Sequence, residues 1–271
     1  MGRSGCFSGR HEHQAGKTRR SALGVLYEVF GGELFERVPS IWRDGFTLEE
    51  RLLLKQMLEK GGNSPFTSSA GRLFDAVSAL VGLCQRARFE GQAAMELEFS
   101  ADKASTDGHY PFLLRAGKKQ RDHDPAIVID WEPLIRGVLG DIASGLVASH
   151  IAAKFHNTLA ELIVETALRA GEERVVLSGG CFQNRYLSER TITGLEVKGL
   201  RPYWHQRVPP NDGGIALGQI YSWLQAHRQG HREANVEISN PHLFPPPRGA
   251  GEEEGGGAIS DQSDVKGFLC A

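Results

Sequence analysis

The run Arg174–Asn184, R-V-V-L-S-G-G-C-F-Q-N, restricts the possible folds more than any other part of the chain. Val175, Val176 and Leu177 form a short apolar run of the kind that makes a buried parallel strand. Ser178-Gly179-Gly180 breaks that run, and Asn184 opens a helix through Tyr186, Leu187 and Ile192. A strand entering a helix through two glycines is how α/β proteins bring backbone N–H groups up to a phosphate or a nucleoside. Glycine has no Cβ to block the approach, and a helix N-terminus favours negative charge. Glycine pairs are also common loop punctuation, so the turn alone is equally a tight connection with no ligand.

The rest of the composition fits a folded protein without extreme electrostatics. A chain of 271 residues holds one large domain or two small ones. A hydrophobic content of 40% with 24% charged residues places it among globular proteins. The net charge of -2 gives no electrostatic reason to expect nucleic acid or an anionic membrane as partner. No apolar run approaches the roughly 20 residues of a spanning helix. Cys6, Cys84, Cys181 and Cys270 are scattered with no C-x-x-C pair, which argues against a zinc ribbon or a secreted disulfide scaffold and points to the reducing cytoplasm.

Three regions follow from the pattern. Residues 1–17 are small, basic and aperiodic, and read as a disordered or unrelated tail, with His11 and His13 solvated. From residue 229 to 271 the P-P-P, E-E-E and G-G-G runs have no apolar period and read as a second disordered tail. Between them, Ser21–Phe30 carries a helical stripe ended by Gly31-Gly32, and Thr47-Leu-Glu-Glu50 is a capping box for a helix that stops at Gly61. Ser68 or Ser69 caps a further helix with Leu73, Phe74, Val77, Leu80 and Val81 on one stripe. Asp75 falls off that stripe and is free to face solvent or a ligand, and Arg72 either meets a phosphate or decorates the surface. Phe89–Glu98 reads as a glycine turn into a short helix. Tyr110–Leu114 and Ala126–Ile129 are two short strands, hairpin-paired or neighbouring, around the charged loop Lys118–Asp124. Asp130 caps a helix with Pro133 in its first turn, and Ser144–Ala170 is one long helix closed by Gly171. His150 and His156 point to different faces and cannot make an i, i+4 metal pair. Pro202–His205 is a short strand, and Asn211-Asp212-Gly213-Gly214 a turn before a helix with Ile215, Leu217, Ile220 and Leu224. Asp212 at that turn is placed either to hold a cation or to cap the helix.

Five blocks in order, S-S-A-G-R-L-F-D-A-V-S-A-L-V-G-L, F-E-G-Q-A-A-M-E-L-E, K-F-H-N-T-L-A, L-S-G-G-C-F-Q-N and V-P-P-N-D-G-G-I-A-L-G-Q, resemble the C-terminal part of the hydrogenase-maturation carbamoyltransferases, the HypF family. The resemblance covers roughly Arg19 to Ala226, within a domain set at residues 18–228. It implies an α/β fold of the actin-like ATPase type: a partial, Kae1-like, ribonuclease H-like subdomain with helical insertions, truncated on its N-terminal side. Carried over by position, the resemblance gives Asp75 as the carboxylate that meets the ribose and Gly91 as the glycine beside the nucleoside. Gly179 and Gly180 become the backbone approach to the adenylate, Asn184 a side-chain contact to it, and Asp212 one metal ligand. Cys181 is not promoted to a nucleophile. The family's His-x-x-x-His pair, its phosphate loop and its acylphosphatase-like, zinc-finger and adenylate-forming domains have no counterpart here. Asp212 without the two histidines is a poor site for a divalent iron or zinc ion.

The function implied by the resemblance is transfer of carbamoyl, made from ATP and carbamoyl phosphate as carbamoyl-adenylate, to the C-terminal cysteine of a HypE-type partner. This lies on the route to the cyanide ligands of nickel-iron hydrogenase. The enzyme's own N-terminal domains are implied as further partners. Two other readings stand beside it: an inactive remnant that keeps the fold and the partner surface, and a related transferase of the tRNA threonylcarbamoyl type. A half-lobe that lacks its twin is also expected to expose apolar surface.

Overall fold

The computed structural model describes residues 17–36, 45–61, 67–117 and 127–230. The expected tails, apart from Lys17 and residues 229–230, and the charged loop beyond Gly117 lie outside these residues. The described residues fall into two units, one ending at Asp212 and the other beginning at Gly213.

Helix α1 spans Lys17–Phe30, four residues longer than the stripe starting at Ser21 predicts, and runs on into a 3-10 turn, Gly31–Phe35. Helix α2, Leu48–Lys60, starts on the expected capping box: Thr47 Oγ1 accepts from the Glu50 N–H, and Glu50 Oε2 accepts from the Thr47 N–H. Its Leu54 enters the core with Leu23, Leu26, Leu34 and Phe46, while Leu48 and Leu52 stay exposed. Arg19 reinforces this corner from α1, donating to the Gly45 carbonyl and to Glu50 with its guanidinium over the Phe46 ring.

Helix α3, Ala70–Leu80, and helix α4, Gln92–Ala101, pack with α1 on the long helix described next. The periodicity predicts that helix over Ser144–Ala170; the structure starts it four residues later, as α6, Ala148–Ala170, set off from the preceding helix α5, Glu132–Ala143. Gly145 takes a left-handed conformation at φ +76°, and the N–H groups of Gly145 and Leu146 return to the carbonyls of Ile142 and Asp141. This double return satisfies the last carbonyls of α5 and stops the helix, a local signal that an apolar period does not carry. The cap expected at Asp130 falls one residue later, on Trp131, which makes no side-chain cap bond; Asp130 Oδ1 instead accepts from the Glu132 N–H at 3.1 Å.

Helix α6 is the spine of the first unit, with buried residues around most of its circumference between Ile151 and Val164. Phe155 meets Phe74 of α3 edge-on, ring centroids 5.1 Å apart at 87°. Such a pair contributes about 1 kcal/mol beyond the area it buries. The antiparallel pair is present as β1, Leu113–Ala116, and β2, Ile127–Asp130, in register Leu113↔Asp130. The first strand starts later than the run from Tyr110 predicts, because α6 claims Tyr110. Its N–H donates to Thr158 Oγ1 at 2.8 Å, and its hydroxyl to Asp141 at 2.7 Å.

Strand β3, Arg174–Leu177, pairs in parallel with β4, Arg201–Trp204, and α7, Arg185–Val197, is the crossover between them. Leu177 packs with Val164 and Leu195 on one face. Val176 on the other face is 67% exposed, so the expectation of a strand buried on both sides is corrected: among the described residues only one face of this two-stranded sheet is covered. In the second unit, helix α8, Ile215–Gly230, carries Ile215, Leu217, Ile220, Tyr221, Trp223 and Leu224 exposed.

Candidate functional site

Helix α4 sets the spacing of the site. Its N-cap is Gly91 at φ +82°, a left-handed position that a Cβ would strain. Beside it, Asp75 projects from α3. Its off-stripe position predicts a carboxylate free to face outward; the structure instead leaves Asp75 only 6% exposed and pairs it with Arg72, Nη1 to Oδ2, at 2.7 Å. The reason is that α3 is wrapped by α1, α4 and α6, so positions off the main stripe are also covered. Asp75, Gly91, Arg72, Thr18, Phe89 and Glu90 line a small cavity of about 30 Å³, room for one or two water molecules. That volume takes the edge of a hydroxyl-bearing ring rather than a whole nucleotide. Thr18 and Glu90 were not legible as part of this corner: Thr18 falls at the edge of an aperiodic leader.

The other end of α4 meets the N-terminus of α7. Glu98 Oε1 accepts from the Arg185 N–H at 2.7 Å and the Tyr186 N–H at 3.4 Å, and Asp102 pairs with the Arg185 guanidinium at 3.0 Å. Asn184 completes the cap, its Oδ1 accepting from the Leu187 N–H at 2.8 Å. Its Nδ2 donates to His156 Nε2 at 2.9 Å, and His156 Nδ1 donates to the Ala152 carbonyl at 2.7 Å. Burial pushes the His156 pKa down to about 4, so the ring is neutral near pH 7 and its Nε2 is an acceptor. Asn184 is thus a buried structural hinge between α6 and α7. Gly91 and Glu98 are seven positions apart, so the two clusters lie roughly 10 Å from one another along the α4 axis.

The di-glycine turn leads into Asn184. Gly179, at φ +106°, donates its N–H to the Pro210 carbonyl at 2.8 Å. Gly180 begins a 3-10 turn to Gln183, and nothing approaches within 4 Å of where its Cβ would stand. One step before the turn, Ser178 Oγ lies 3.1 Å from His205 Nε2. No sequence pattern marks this pair, because strand ends 27 residues apart show no register until they are aligned. Asp212 is exposed in the turn ahead of α8, and no group of three or more His, Cys, Asp or Glu stands ready for a metal ion among the described residues. The residues described here therefore do not fit a divalent cation by themselves. A larger groove of about 480 Å³ runs past Asp107, Asn157, Glu161, Tyr186, Arg190 and Gly194, and none of the six expected site residues lines it.

The geometry can be set beside known proteins. Residues 11–219 match the family model described as carbamoyltransferase, Kae1-like domain, second subdomain. Carbamoyltransferase HypF of a Synechocystis species is 38% identical over 220 residues, covering 77% of this chain and 28% of that protein. The HypF enzyme of Rhodobacter capsulatus is 40% identical over 179 residues, 64% of this chain and 22% of its own length. Among solved structures, full-length HypF in the phosphate- and nucleotide-bound form superposes with a TM-score of 0.63 at 38% identity, over 74% of this chain and 30% of that one. HypF of T. kodakarensis superposes with a TM-score of 0.62 at 25% identity, over 81% of this chain and 29% of its own. The Kae1-like expectation therefore holds for the fold, in a helix-rich form that spans under a third of these relatives. The chain belongs to the carbamoyltransferase HypF family, where it corresponds to the second subdomain of the Kae1-like domain.

Proposed function

We propose that this chain serves as the nucleotide-facing part of a carbamoyl transfer from carbamoyl-adenylate to the C-terminal cysteine of a HypE-type partner, on the route to the cyanide ligands of nickel-iron hydrogenase. The observation that carries the reading is the convergence of Asp75 and Gly91, from two successive blocks of the sequence, on one cavity at the start of α4. In the transfer, the sulfur attacks the carbonyl carbon, a C–S bond forms, the C–O bond to the adenylate phosphate breaks, and AMP leaves. The residues of this chain bind and orient. The Asp75 carboxylate, paired with Arg72, accepts from a ribose hydroxyl, and the open backbone at Gly180 flanks the leaving phosphate.

Asp75→Asn and Asp75→Ala test this by isothermal titration with ATP. Loss of a hydrogen bond to a charged group, worth about 1.5–3 kcal/mol, predicts an affinity about 10- to 100-fold weaker with the thermal melt retained. Unchanged affinity removes Asp75 from the site. A folded wild-type chain that binds no nucleotide favours the inactive remnant instead.

A further inference from the structure

We propose that Ser178 and His205 form a proton relay for the incoming thiol, an inference that rests on the transfer reading above. Their meeting is dictated by register. Leu177 and Trp204 are the last partners of the parallel β3–β4 pair, so the next residue on each strand, Ser178 and His205, is set side by side. Ser178 Oγ and His205 Nε2 are 3.1 Å apart, and both residues are exposed. The hydrogen bond from the Gly179 N–H to the Pro210 carbonyl folds the segment after His205 back over the turn and holds the pair in place.

Three points direct this pair to chemistry rather than to stability. A solvent-exposed hydroxyl–imidazole bond contributes at most about 1 kcal/mol to folding. The carboxyl ends of parallel strands are where open α/β sheets receive their ligands. And Ser178 stands two residues before Gly180, the open backbone position assigned to the adenylate. An ordinary thiol, with a pKa near 8.5, is mostly protonated at neutral pH, so transfer to it needs a proton acceptor. Imidazole is the side chain suited to that task. In the relay, Ser178 Oγ takes the S–H proton as its own proton passes to His205 Nε2. The sulfur bonds to the carbonyl carbon, and the C–O bond to phosphate breaks. A thiocarbamate, AMP and an imidazolium result, with charge and atoms balanced. His205 acts through Ser178, as its proton sink.

The test measures AMP release from synthetic carbamoyl-adenylate by the full chain, with the remaining domains of a HypF enzyme supplied in trans. Two acceptors are compared: a peptide ending in cysteine, and an aryl thiol already ionised at pH 7. His205→Gln and Ser178→Ala are each expected to slow transfer to the peptide about 100-fold or more. With the aryl thiolate, which brings no proton to remove, the loss should shrink to a few-fold. Equal slowing with both acceptors, or none with either, overturns the relay. A carbamoyl group found on Ser178 by mass spectrometry also overturns it, since the hydroxyl is then a nucleophile. A wild-type mixture that releases no AMP with either thiol brings down the transfer reading and the relay together. Wild-type release that His205→Gln leaves undiminished brings down the relay alone.

Discussion

Replacing Asn184 by alanine separates its role in the fold from its expected contact with the adenylate. The side chain makes two buried hydrogen bonds, to the Leu187 N–H at 2.8 Å and to His156 Nε2 at 2.9 Å, and is 7% exposed. Removing an N-cap side chain costs about 1 kcal/mol. The substitution also strands the His156 Nε2 acceptor in a fully buried ring, a desolvation loss of about 1–3 kcal/mol. Together they predict a loss of about 2–4 kcal/mol, or roughly 6–12 °C in melting temperature at the middle of that range for a chain of this size. Asn184→Ser keeps a cap acceptor and loses only the bond to His156, so it should fall between the wild type and Asn184→Ala. Urea unfolding followed by circular dichroism reads both, with the midpoint moving and the slope unchanged. A loss below about 0.5 kcal/mol for Asn184→Ala would refute the reasoning. Reduced ATP affinity in such an unweakened variant would instead assign the side chain to the ligand.

Three further outcomes are expected. His156 has a folded pKa of about 4 against an ordinary 6.5, so the unfolded chain binds its proton first. Its contribution is complete above pH 6.5 and is lost as the pH falls towards 4, by up to roughly 3 kcal/mol, and urea midpoints at pH 7 and 4.5 should show a decline that His156→Gln flattens. Gly137→Ala would place a Cβ 2.5 Å from Tyr110 Cδ1, and the overpacking penalty of about 1–3 kcal/mol should outweigh the gain in helix propensity, giving a lower melting temperature. Gly91→Ala meets no neighbour within 4 Å, so its cost is the left-handed backbone alone, about 1–2 kcal/mol, measurable by the same melt.

Where the controlling interaction is local in sequence, the chain could be read directly. The Thr47–Glu50 box, the cap by Asn184, the stop at Gly171 and the passage from Leu177 through the glycines into α7 all depend on residues within a few positions of each other. Two failures have the opposite character. Glu98 reaches across 87 residues to cap α7, and Ser178 meets His205 through a strand register; neither leaves a periodic trace. Asp75 failed for a third reason. One apolar stripe predicts one buried face, but a helix enclosed by three others buries its polar positions too, and Asp75 reached that environment with its counter-charge one turn away. The convergence of Asp75 with Gly91 was legible only through the family resemblance, since neither residue alone distinguishes a ligand contact from a surface carboxylate or a turn glycine.

The hydrogen-bond accounting around the di-glycine turn changes what that motif can offer. A strand–glycine–helix passage suggests free N–H groups awaiting an anion. Here Glu98 occupies the N–H groups of Arg185 and Tyr186, Asn184 that of Leu187, and the Pro210 carbonyl that of Gly179. A phosphate brought to the N-terminus of α7 would have to displace a carboxylate already seated there, at the cost of a charge-assisted bond and against its repulsion. On the proposed transfer reading, the adenylate then belongs one step earlier, at Gly180, with the ribose towards Asp75 and the leaving phosphate towards the ends of β3 and β4. On that path Glu98→Gln should weaken the helix cap and leave the carbonyl's surroundings alone, whereas a change at Ser178 should do the reverse. The two substitutions thus distinguish a turn that anchors the fold from a strand end that handles the substrate.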